Sequence, residues 1–174
     1  MDFSLKIVQI NLQHCKEATA VLCNQLNIHS GLALIQEPYL YKGRVRGLNI
    51  KGSTLIYDQS AARPRTALLA TKAVQVTPLP QLTTADAVAA EVELTVHGRV
   101  SRLVFCSLYL PYDVANLLPT QDFVNVVEYA KTNRLPIIIG CDANSHHICW
   151  GSTNSNKRGS ALIEYLLTEE LLSY

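Results

Sequence analysis

The sequence predicts an α/β (α+β) chain arranged as a four-layer α/β/β/α sandwich, in which two mostly antiparallel sheets stack face to face and helices cover them outside. Two observations carry this. Strand-like apolar runs followed by helix-like segments stand at both ends of the chain with a β-rich stretch between them, and every such element must bury its apolar face against another layer. In addition, residues 102–110 are largely apolar on both alternating faces, as expected of a central strand covered on each side.

The elements follow in chain order. Residues 5–12 are a strand-like apolar run, after which Ala18, Leu22 and Leu26, with Val21 beside them, recur at helical spacing. Residues 32–36 form a second short buried strand, ended at Glu37-Pro38, because proline has no N–H for a ladder and restricts the residue before it. From 54 to 96 the pattern becomes β-rich, with runs at 54–57, 66–71, 74–77 and 87–96 between polar or proline-containing turns, which reads as one meander of mostly antiparallel strands. His97-Gly98 is a hairpin turn into the strand at 102–110, with Leu103, Phe105, Ser107 and Tyr109 on one face and Val104, Cys106, Leu108 and Leu110 on the other. Pro119 opens a helix whose Phe123, Val126, Val127 and Ala130 form one apolar stripe, with Asp122 early, where the helix dipole favours an acid. Residues 136–140 are another short buried strand, 141–156 a polar loop, and 160–172 a last helix around Leu162, Leu166 and Leu167.

Composition narrows the function classes. The 174 residues fit a single domain over 1–174, and 15 Lys plus Arg against 14 Asp plus Glu exclude a histone-like polycation or an acidic tail. Charged residues are only 17% and hydrophobic residues 48%, against about 25% charged in typical soluble domains. No apolar run is long enough to span a bilayer, and the N-terminal residues lack a secretory pattern. Cys15, Cys23, Cys106, Cys141 and Cys149 are odd in number and mostly set in apolar runs, the pattern of reduced core thiols.

The informative feature lies at the strand ends. Ile7 to Ile10 ends at Asn11, Leu32 to Ile35 leads to Glu37, and Ile137 to Ile139 leads to Asp142 and Asn144. Ligand sites in layered α/β folds collect at the carboxyl ends of strands. Two carboxylates and two carboxamides suit a hard cation such as Mg2+, which takes oxygen ligands and keeps waters. Each residue alone is also an ordinary turn former.

Four words make the pattern specific: Gln9-Ile-Asn11, Ile35-Gln-Glu37-Pro38-Tyr39, Leu108-Tyr109-Leu-Pro111 and Gly140-Cys-Asp142-Ala-Asn144-Ser-His146. In this order they resemble the endonuclease/exonuclease/phosphatase superfamily, the fold shared with DNase I and apurinic/apyrimidinic endonucleases. The Gln-Glu-Pro-Tyr form, the pair His146-His147, Trp150-Gly151-Ser152 and Arg158-Gly159 look most like the endonuclease domain of non-LTR retrotransposons. That resemblance implies a DNA-nicking phosphodiesterase dependent on Mg2+ or Mn2+, fused to a reverse transcriptase, intracellular, with no membrane role, and nuclear while acting on DNA. It implies Glu37 as metal ligand with Asn11 beside it, Asp142 aligning or deprotonating the attacking water, Asn144 holding the scissile phosphate and Tyr109 donating to a phosphate oxygen, with His146 also toward substrate. In-line attack on a phosphodiester needs an activated water, a cation and neutral donors that fix geometry.

Six basic residues between 42 and 65 (Lys42, Arg44, Arg46, Lys51, Arg63, Arg65) face one acid, Asp58, and are interleaved with Tyr41 and Tyr57. Such a basic loop, with Arg44 and Arg46 at its centre, suits DNA phosphates, though a solvated polar loop has the same composition. One departure stands out. Members of the superfamily end with a further Asp and a Ser-Asp-His word, whereas this chain has no Asp after Asp142 and no His after His147. The expectation is therefore a domain truncated at its C-terminus and lacking its last strands, with an alternative in which the chain is an inactive remnant retaining weak DNA or metal binding. A zinc module of Cys141, His146, His147 and Cys149 has the right ligand types but no common finger spacing, and a Cys-His nucleophile pair lacks an orienting third group.

Overall fold

A computed structural model describes residues 5–96, 99–112 and 118–171. Sheet 1 has the order β1-β2-β6-β5, from β1 (Lys6–Asn11), β2 (Gly31–Gln36), β6 (Thr66–Ala70) and β5 (Thr54–Ile56). Sheet 2 has the order β10-β9-β8-β7, from β10 (Ile137–Asp142), β9 (Arg99–Tyr109), β8 (Ala87–Val96) and β7 (Gln75–Pro78). Helix α1 (Lys16–Ile28) joins β1 to β2, and the stretch containing α2 (Gln121–Thr132) joins β9 to β10. Both strand pairs are parallel, because a helical crossover returns the chain in the same direction. The remaining pairings within the two sheets are antiparallel. The last helix, α3 (Lys157–Thr168), follows β10.

Side-chain alternation builds the four layers. Leu32, Leu34, Leu68 and Ala70 of sheet 1 meet Val88, Ala90, Val92 and Phe105 of sheet 2. On the outer face of sheet 1, Ala33, Ile35, Ala67 and Leu69 pack under Leu22, Cys23 and Leu26 of α1. Val104, Cys106 and Leu108 pack under Phe123, Val126, Val127 and Ala130 of α2 and Leu162 of α3. β9 is thus central, with the two faces assigned from its alternation. Phe105 is fully buried between the sheets, and truncating such a residue to alanine typically costs about 3–5 kcal/mol.

Several expectations need correction. The β-rich stretch at 54–96 is not one meander: β5 and β6 belong to sheet 1, β7 and β8 to sheet 2. Alternating apolar runs specify strands but not which sheet each joins, and here the short turn at 71–74 after β6 passes the chain from one layer to the other. A small hairpin of β3 (Leu40–Tyr41) and β4 (Arg44–Val45) went unread, since two-residue strands have no periodicity. Val21 is 60% exposed and Leu167 71%; each lies off the stripe its helix buries, which in α1 is Thr19, Leu22, Cys23 and Leu26. α2 starts at Gln121 behind the Thr120 cap rather than at Pro119, and α3 occupies 157–168 rather than 160–172. Strand β10 extends through Asp142, so the polar loop begins after it. The predicted His97-Gly98 turn lies outside the described residues; the flanking strands pair up to Val96↔Arg99.

Candidate active site

Each parallel pair brings two carboxyl ends side by side. Asn11 is in register with Gln36, immediately before Glu37, and Asp142 with Tyr109. Stacking the sheets then closes the set: Asn11 Nδ2 donates to Asp142 Oδ2 at 2.7 Å, across from sheet 1 to sheet 2. Asn11 Oδ1 accepts from the Gln13 N–H at 2.8 Å, so the carboxamide is held at both ends and aims its donor at Asp142.

Glu37 is locked by its backbone. Its N–H donates to the Arg65 carbonyl at 2.8 Å and its carbonyl accepts from the His14 N–H at 2.9 Å, while φ is +48°. A non-glycine residue in this left-handed region costs on the order of 1–3 kcal/mol and persists only where its surroundings over-determine it. Asn144, at φ +45°, is a residue type that tolerates the same region. Its N–H reaches Asp142 Oδ1 at 3.3 Å and its Nδ2 donates to the Leu110 carbonyl at 3.2 Å.

The Tyr109 hydroxyl is under the influence of both Glu37 and Asn144. Burial first, and then the negative charge of Glu37, push its pKa above the ordinary tyrosine value. The phenol is accordingly kept protonated and acts as a donor. Behind it, Arg65 forms a two-pronged ion pair with Asp86 and lays its guanidinium 5.1 Å from the centre of the Tyr109 ring. The same two residues are tied to the site through the backbone, since the Arg65 carbonyl holds Glu37 and the Asp86 carbonyl accepts from the Tyr109 N–H at 2.8 Å.

The floor beneath is a polar chain, buried at Gln36 and Ser107. Gln9 Nε2 donates to Gln36 Oε1 at 2.6 Å, Gln36 Nε2 donates to Ser107 Oγ at 2.9 Å and to the Gly140 carbonyl at 3.0 Å, and Ser107 Oγ donates to the Ile35 carbonyl at 2.8 Å. It joins β1 and β2 to β9 and β10 directly under their functional ends. The loop after Asp142 is fixed from the other side: Arg158 donates to the Pro111 carbonyl at 2.8 Å, and Asn156 Oδ1 accepts from Gly159 N–H at 2.8 Å and His146 N–H at 3.3 Å. A Cβ on Gly159 would stand 2.0 Å from the His146 carbonyl oxygen, which explains why glycine follows Arg158.

The open side is a cleft of about 470 Å3 lined by His14, Glu37, Arg63, Arg65, Ala85, Tyr109 and Tyr112. The structure therefore brings together Asn11, Glu37, Tyr109, Asp142 and Asn144. The other three candidates stand elsewhere: Arg44 on β4 donates to the Gln59 carbonyl, Arg46 follows it with its N–H on the Tyr39 carbonyl at 2.9 Å, and His146 lies exposed in the loop after Asp142. Sequence reasoning missed His14, Asp86 and Tyr112 as neighbours of the site. The only signal was proximity to Asn11 for His14 and to Tyr109 for Tyr112; Asp86 carried none.

The donor set fits a hard divalent cation. Glu37 and Asp142 offer carboxylate oxygens, and a cation bound through one or two carboxylates with waters and substrate phosphate needs no larger protein cage. Among the described residues no group of three or more His, Cys, Asp and Glu is placed to hold a metal. The zinc module fails on strand geometry as well: Cys141 packs against the core under α2 and α3, on the face opposite its neighbour Asp142, while Cys149 is exposed. Burial pushes the Cys141 thiol well above its ordinary pKa, which also disfavours a thiolate nucleophile.

Comparison with known proteins bears on the family and the fold. Residues 103–174 match the endonuclease-reverse transcriptase family. The structure of the endonuclease domain of TRAS1, a telomere-specific non-LTR retrotransposon, superposes with a TM-score of 0.74 at 25% identity, covering 95% of this chain and 71% of that one. A humanized D. rerio TDP2 gives 0.48 at 14% identity, over 86% of this chain and 68% of that one. No curated protein sequence matches. The chain is a member of the endonuclease/exonuclease/phosphatase superfamily and has its DNase I-like fold. Within that superfamily its likeness is to the endonuclease domain of a non-LTR retrotransposon, a fold that supports nuclease-type phosphodiester hydrolysis.

Proposed function

We propose that the chain is the phosphodiesterase domain of a retrotransposon polyprotein, a divalent-metal-dependent endonuclease that nicks DNA. The observation that carries this reading is the meeting of Asn11, Glu37, Tyr109, Asp142 and Asn144 at four strand ends, closed by the 2.7 Å Asn11–Asp142 bond. When bound at Glu37, with Asn11 beside it, Mg2+ or Mn2+ supplies charge to offset the negative charge that builds on the phosphate. Asp142, oriented by Asn11 Nδ2 and the Asn144 N–H, aligns the attacking water and takes its proton. Tyr109 and Asn144 donate to the phosphate oxygens; as neutral donors they fix geometry without adding charge. Arg44 and Arg46, and His146 on the loop, reach DNA phosphates outside the cleft. The DNA substrate, fusion to a reverse transcriptase and action in the nucleus belong to the same reading and are supported by the similarity to the retrotransposon domain.

The test is relaxation of supercoiled plasmid. Nicking should require Mg2+ and stop with EDTA, and Glu37→Ala or Asp142→Ala should lower it by at least about 10²–10⁴-fold. Variants that nick as fast as the parent would sink the site assignment. A second reading, DNA binding without turnover, makes the opposite prediction in this assay, and robust EDTA-sensitive nicking by this chain excludes it.

A further inference from the structure

The cationic wall of the cleft is divided into two parts of different character. Arg65 is committed to Asp86 and to the Tyr109 ring. Arg63, two residues earlier, lines the same cleft, and among the described residues it makes no ion pair with a carboxylate. Its recorded partner is neutral: Arg63 Nη2 stands 3.3 Å from His14 Nε2.

The other nitrogen of that ring settles what the contact is. His14 Nδ1 is 2.9 Å from the Pro38 carbonyl oxygen, and a carbonyl can only accept, so Nδ1 carries the hydrogen. In the neutral ring Nε2 is then an acceptor, and Arg63 donates to it. His14 is itself anchored at the site, since its N–H donates to the Glu37 carbonyl at 2.9 Å. The result is a guanidinium whose position is fixed relative to Glu37 by a neutral group that leaves its charge uncompensated. A guanidinium with its charge intact and its remaining N–H groups turned to an open cleft is suited to a phosphate.

We infer that Arg63, held by His14, is a second phosphate subsite, which takes the phosphodiester group of a nucleotide neighbouring the one that is cut. This rests on the nuclease reading above and assigns the residue a binding role: contacts of this kind position a strand without reading its bases. His14 is a positioning residue that sets where the guanidinium lies.

The inference is tested by binding of the 174-residue chain to a short DNA duplex in EDTA, so that no cleavage occurs, over a salt series. Each phosphate neutralised contributes about 0.9 to the slope of log K against log salt. Arg63→Ala should flatten the slope by about one and weaken binding to all duplexes alike. Arg63→Lys, which keeps the charge, should keep the parental slope, and His14→Ala should weaken binding more than His14→Gln, which retains an acceptor. Arg102→Ala, at the Glu91 pair on sheet 2, should leave the slope unchanged. Parental DNA binding with an unaltered slope in Arg63→Ala overturns this inference alone. Absence of salt-dependent DNA binding by the parent overturns it together with the nuclease reading.

Discussion

At the scale of single residues, the site depends on a pair that holds its functional residues in place. Arg65 and Asp86 hold Glu37 and Tyr109 through their carbonyls and face each other through their charges. Their ion pair is about one-third and one-fifth exposed, so it contributes at most about 1 kcal/mol to stability. Its value lies in geometry. Arg65→Lys keeps the charge but loses the fork and the flat contact with the Tyr109 ring. We expect it to lower nicking about 10–100-fold, the usual effect of disturbing groups that orient active-site residues, with little change in the urea midpoint; equal losses in both would show a merely structural role. This pair also marks the limit of legibility. Asn11, Glu37, Asp142 and Asn144 were legible because apolar strands lead into them, and Tyr109 only through the resemblance carried by Leu108-Tyr109-Leu-Pro111. Arg65 read only as one charge in a basic run, since nothing in a linear sequence tells that Asp86, in the bend before β8 of the other sheet, neutralises it.

At the scale of elements, the helices were legible where their stripes are strict. Phe123, Val126, Val127 and Ala130 are the buried residues of α2, as their spacing requires. Boundaries set by caps were less so: Asn156 was read as the end of a loop, yet it caps α3 and also pins His146. Asn156→Ala should therefore cost about 1 kcal/mol of stability, the typical loss for an N-cap, and should further raise proteolytic cleavage in the loop between Asp142 and α3. A stability loss with unchanged loop proteolysis would restrict Asn156 to capping. The polar strand end at Gln36 was passed over in favour of Glu37. Its full burial makes sense only once the second sheet supplies Ser107 and the Gly140 carbonyl, a partner set that no local pattern encodes.

At the scale of the whole molecule, the two sheets approach closely at Gly140. A Cβ there would lie 2.8 Å from both Gln9 Cγ and Leu34 Cβ. Gly140→Ala should push the layers apart and cost about 1–3 kcal/mol, as overpacking does, read as a lower urea midpoint with an unchanged slope. Nicking should fall with it even where the protein is fully folded, because the same shift lengthens the Asn11–Asp142 bond; full activity in the folded variant would show that the layers absorb the methyl elsewhere. The two-layer architecture was legible from the order of strands and helices, whereas the sheet membership of β5 to β8 was not, because alternation is identical in either layer. That architecture also sets a timetable. The two ends of the Asn11–Asp142 bond are 131 residues apart in the chain, and contacts of such separation are slow to form, since a long loop must be closed before anything is gained. During synthesis Glu37 and Asn11 emerge before β10 and wait for it, so the cluster at the strand ends is among the last features the folding chain completes.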